Sequence, residues 1–168
     1  NLQAMYNEPL RIRSKTNNDL WLSMHKIHYQ QSEPDAMNGI RMKYAELFLN
    51  HEYQGVYCVG EKIDRKQLRL KNHNGSISGE LYKGAGWDGA TTFHSLPPYS
   101  NNSRVWGGFE YKHPDEETDW ANLYDLVDFV INAPDHQFYE EYDDRFEIDN
   151  LVDYFIFLNL LRATDNTG

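Results

Sequence analysis

The sequence predicts an α+β fold, with a sheet-bearing first half and a helical second half. Three observations carry that reading. Two runs rich in β-branched and aromatic residues flank a polar connection at 43–63. A stretch rich in Gly, Asn, Ser and Pro covers 72–108. From Pro114 to the end, apolar residues recur at helical spacing.

Taken in order, residues 7–25 (NEPLRIRSKTNNDLWLSMH) predict a first helix. Asn7 is its cap, Pro9 sits in its first turn, and Leu10, Trp21 and Met24 lie on its apolar face. A loop follows through Pro34 and Gly39. KYAELFLN-HEYQ-GVYCVGEKI then predicts an antiparallel hairpin, its connection holding Asn50 and ending at Gly55. In the second arm Val56, Cys58 and Gly60 share one face; Tyr57, Val59 and Glu61 share the other. Asp64 is placed to cap a short turn over RKQLRL.

Residues 72–108 predict a long irregular excursion with short strands near ELYK and GFEYK. A loop that long inside a compact domain is usually functional or built on a larger scaffold. DEETDWANLYDLVDFVINA predicts a helix with acidic residues in its first turn. DHQFYEEYDD suits a second, short helix. EIDNLVDYFIFLNLLRATD predicts the last one, apolar almost all round and therefore buried.

A chain of 168 residues suits one domain of ordinary size, or a piece of something larger. With 40% hydrophobic and 14% aromatic residues it can bury a core rather than remain disordered. The formal net charge of −10 argues against a nucleic-acid footprint, which needs clustered Lys and Arg, and against docking on an anionic membrane. No stretch has the roughly 20 apolar residues of a membrane span. The lone Cys58 lies in the apolar run VYCVG and reads as a buried, inert thiol.

Several stretches could carry chemistry, and each has a plainer reading beside it. Asp165, in the closing LLRATDNTG, is either a helix-end turn residue or a carboxylate delivered rigidly for proton transfer. GEKID is either a strand exit into solvent or a connection whose carboxylates and backbone meet a ligand. Trp87, Tyr99 and Trp106 either form a sugar- or peptide-binding surface or pack inside the irregular stretch. GAGWDG lacks phosphate-loop spacing, and Ser95 and Ser103 lack the context of a hydrolase nucleophile. His25, His28, His51, His73, His94, His113 and His136 are scattered. The first two lie three apart with no accompanying carboxylate, which reads as surface or packing.

In combination, AELFLNHEYQGVYCVGEKIDRKQL, GELYKG and NLVDYFIFLNLLRATDNTG resemble the CotH kinase family, named for spore coat protein H. The wording is similar to secreted or surface versions from gut Bacteroidetes. The resemblance implies a divergent, protein-kinase-like two-lobe fold that transfers phosphate from ATP to protein Ser/Thr. It implies a partial N-lobe-like region at 1–112 and the start of a helical C-lobe at 113–168. It makes Asp165 the catalytic base, and places Glu61, Lys62, Ile63, Asp64 and Lys83 on the nucleotide side. It assigns no metal ligand in this chain.

Family members carry a Lys-Asn just beyond TDNTG and a later pair of metal-binding Asp, so the chain is expected to be an internal piece, inactive alone. ATP with Mg²⁺ or Mn²⁺ is expected for the complete domain, as are a Ser/Thr-bearing protein substrate and an extracellular or cell-surface location. The alternative is a non-catalytic binding or structural module on the same fold, recognising polysaccharide or protein.

Overall fold

The computed structural model describes residues 1–5, 10–87 and 89–163. The described residues form an α+β arrangement of five α-helices, one 3-10 turn at Gly89–Thr92 and two three-stranded antiparallel sheets. The described residues divide into two compact units. One comprises Asn1–Arg69 with Asp153–Leu161; the other centres on Leu70–Val152.

In the first unit, β1 (Leu2–Gln3), β2 (Met42–Leu49) and β3 (Glu52–Gly60) form a sheet in the order β1-β3-β2. The hairpin of β2 and β3 is the one read from the sequence, but its turn is tighter. Only Asn50 and His51 connect the strands, and both have positive φ, 50° and 69°. That is the backbone of a primed two-residue turn, whose twist matches the strands it joins. Gly55 (φ 109°) does not end the connection. It marks a bulge, where Leu47 faces Gly55 and Phe48 already faces Tyr53. Met5, Met42 and Cys58 form the buried cluster on one sheet face, with Ile40 against it. Cys58 is fully buried, and burial pushes its thiol upward, as an inert packing residue requires.

The first helix, α1, spans Arg13–Met24, not 7–25. Arg11 has φ 52°, a left-handed conformation no helix continues through, and it is tied to the hairpin. Its guanidinium donates to Val56 O, while its own carbonyl accepts from Tyr44 OH. Leu10, expected on the apolar face, is 76% exposed. The expected cap Asn7 and Pro9 lie outside the described residues. After β3, Asp64 accepts from Gln67 N at 3.0 Å and caps the single turn α2 (Arg65–Leu68), which ends at left-handed Arg69.

In the second unit, β4 (Leu81–Gly84), β5 (Val105–Trp106) and β6 (Phe109–His113) pair in the order β4-β6-β5. Their sheet packs on α3 (Ala121–Asn132) through a core of Ala90, Trp106, Tyr111, Trp120, Leu123 and Val127. Trp120 has no exposed surface. Its indole donates to Ser103 O at 2.9 Å, and it stacks on Tyr82 at 5.7 Å between centroids. Tyr82 and Tyr111 both donate to Glu80 Oε1, at 2.7 and 3.0 Å; burial first, then these bonds, drives both phenols well above their ordinary value.

The acidic stretch 115–119 is not the first turn of α3. Arg104 pins the chain there by donating to Pro114 O and Asp115 O, and Asn101 and Asp119 take the N–H groups of Trp120 and Ala121. α4 (Asp135–Arg145) follows, with Phe138 stacked on Phe129 at 5.2 Å and Arg145 4.2 Å over the same ring.

The last helix, α5, spans Ile148–Leu161. It is not the buried helix its composition predicts. Only Leu158 is buried; Phe155 and Leu160 are 68% and 62% exposed. Within the first unit, Trp21 meets Tyr154 and Phe157 edge-on. The remaining apolar faces have no cover among the described residues. No described helix is long and apolar enough to cross a membrane.

Candidate functional site

The GEKID segment leaves β3 and runs to the Asp64 cap, so both its ends are anchored. Glu61 is held by Arg41, whose Nε lies 3.0 Å from both carboxylate oxygens; hydrogen bonding to the guanidinium keeps this carboxyl below its ordinary value. Asp64 is likewise lowered, first by the hydrogen bond from Gln67 N. Both carboxylates are therefore occupied within the chain.

Lys62 and Ile63, between them, are exposed, and their backbone N–H and C=O groups have no hydrogen-bond partner among the described residues. A short run of free backbone donors and acceptors between two fixed points can pair with the edge of a planar ligand without first breaking bonds of its own.

Lys83 lies in the other unit, exposed on β4 opposite Glu110, with no ion-pair partner among the described residues. Glu61, Lys62, Ile63 and Asp64 are brought together by adjacency. Lys83 is not placed beside them within either unit, and Asp165 lies outside the described residues.

The aromatic platform read from the irregular stretch does not form. Trp106 is buried at 6% exposure against Trp120. Only Trp87 (65%) and Tyr99 (47%) are exposed, and Tyr99 is committed to Asp119 through its hydroxyl at 2.8 Å. Trp106 fails because its indole donates inward to Pro98 O.

One pair escaped the sequence reading. His25, expected to lack a carboxylate, hydrogen-bonds Asp153 of α5 through Nδ1 at 2.8 Å and stacks on Trp21 at 4.7 Å. The partners are 128 positions apart, so no local motif could signal them.

Among the described residues no three His, Cys, Asp or Glu side chains are grouped to hold a metal ion.

The family model for CotH kinase protein matches residues 1–168, the whole chain. The chain belongs to the CotH kinase family. The α+β architecture is compatible with the kinase-like fold of that family. No curated protein and no solved structure matches this CotH chain. Membership of that family points to a kinase-like function.

Proposed function

We propose that this CotH chain carries the nucleotide-facing connection of an atypical, ATP-dependent protein Ser/Thr kinase acting outside the cell or on its surface. The observation that carries the proposal is the unpaired Lys62–Ile63 backbone, held between the Arg41–Glu61 pair and the Asp64 cap. In this reading that backbone receives the adenine edge. Asp165 accepts or orients the proton of a Ser or Thr hydroxyl on a protein substrate. The hydroxyl oxygen forms the new bond to the γ-phosphorus, the β–γ bridge breaks, and ADP leaves. Positioning and charge neutralisation, with magnesium or manganese supplied alongside ATP, provide most of the rate.

The test is phosphate transfer from labelled ATP by the intact protein and its Asp165→Asn variant. Protein-bound label is expected in the first, reduced by about 10²-fold or more in the second. No label in either, with both folded, overturns the kinase reading and leaves a non-catalytic surface module. Exposed Trp87 is the residue in favour of that second reading, and its substitution should then weaken polysaccharide or protein binding.

A further inference from the structure

A hollow of about 720 Å³ opens in the first unit, between the end of α1, the loop that follows it and Arg69. None of Glu61, Lys62, Ile63 or Asp64 lines it, so it is separate from the nucleotide-facing connection. Its volume is that of a small-molecule site. Leu22 and Met37 supply apolar wall, and Lys26, Arg41 and Arg69 bring three cations to it against one carboxylate, Asp35. In a chain of net charge −10, that local excess of positive charge runs against the whole.

The wall also presents one buried polar group with capacity to spare. His25 is only 6% exposed. The Asp153 carboxylate accepts from its Nδ1, which leaves Nε2 facing away from the pair. Nε2 has no hydrogen-bond partner among the described residues, yet it is not among the sealed, unsatisfied atoms, and His25 lines the hollow.

The cations are of two kinds. Arg41 is taken by Glu61, and Arg69 reaches Asp35 at 3.2 Å in an exposed pair of the sort that contributes little and re-partners easily. Lys26 is exposed and has no acidic partner among the described residues.

We propose that this hollow binds a small phosphomonoester with an apolar body. A phosphomonoester titrates near neutrality, with a second pKa of about 6. It therefore carries a P–OH that can donate to Nε2 beside oxygens that accept from cations. A simple carboxylate, ionised near neutrality, has no O–H to donate there. Lys26 and Arg69 complete the phosphate shell, while Leu22 and Met37 hold the organic part. Because Asp153 belongs to α5, the occupied site would fix the ring that ties the loop after α1 to that helix.

The test uses the intact protein with ¹³C-labelled histidine, following the His25 ring resonance (assigned with His25→Gln) as phenyl phosphate is added near neutral pH. A saturable shift is expected, with a Kd in the sub-millimolar range, weakened about tenfold by Lys26→Ala and again by Arg69→Ala. Lys26 is exposed and unpartnered, so its substitution leaves folding intact and the comparison valid. Phenol, the same body without phosphate, should give no saturable shift. Absence of saturation with phenyl phosphate, an equal response to phenol, or affinity untouched by Lys26→Ala each overturns the proposal.

Discussion

Asp64 and Glu61 show how single carboxylates in the GEKID segment are consumed by structure. Replacing Asp64 with Ala removes the acceptor for Gln67 N and should cost about 1 kcal/mol, whereas Asp64→Asn should retain most of it. Urea midpoints of the two variants check this. Both carboxyls have folded values below their unfolded ones. Such groups add stability above the unfolded value and lose it as pH falls through the folded one. The urea midpoint should therefore drop as pH is lowered from about 4.5, the ordinary glutamate value, and Arg41→Ala should remove the Glu61 share of that drop. At Ile63 the N–H is unpaired, so Ile63→Pro should leave thermal stability nearly unchanged while raising KM for ATP. A KM unaffected by that change would remove the backbone from nucleotide binding.

The hairpin and α3 give the clearest expectations among the elements. Asn50 and His51 both adopt left-handed backbone, which Asn tolerates and Gly adopts more readily than His. His51→Gly should thus stabilise the chain by about 0.5 kcal/mol, after the extra freedom of Gly in the unfolded chain is set against the relieved strain. A lower melting temperature in that variant would contradict the turn geometry. Trp120, at the entrance of α3, touches Tyr82, Trp106 and Tyr111 and has no exposed surface, so Trp120→Ala should cost about 3–5 kcal/mol in denaturant titration.

The elements also differ in how far the sequence declares them. The hairpin was legible because alternation and turn chemistry are local. The starts of α1 and α3 were not: a left-handed Arg11 and the reach of Arg104, Asn101 and Asp119 are side-chain choices made across the fold.

Across the whole chain, the described residues form two packing units, each with its own apolar cluster. The most unusual surface is α5, where Ile148, Leu151, Val152, Tyr154, Phe155, Ile156 and Leu160 are all exposed among the described residues. Contiguous apolar surface of this kind limits solubility. Phe155→Lys should raise the protein concentration at which light scattering sets in. Its effect on unfolding free energy should stay within about 0.5 kcal/mol, because the ring is 68% exposed. A large loss of stability would mean that Phe155 is packed.

Local order and family were written in the residues. Period-two alternation made the strands, Asp64 made its cap, apolar neighbours made Cys58 a core thiol, and three motifs in order carried the family resemblance that the match over 1–168 bears out. What composition could not decide was which apolar side chains find a partner. Trp106 and Trp87 lie in the same Gly- and aromatic-rich stretch, yet one is buried and the other 65% exposed. His25 reads as an isolated histidine until Asp153 arrives from 128 residues away. Burial and pairing depend on contacts between distant segments, and those exist only once the chain has closed on itself.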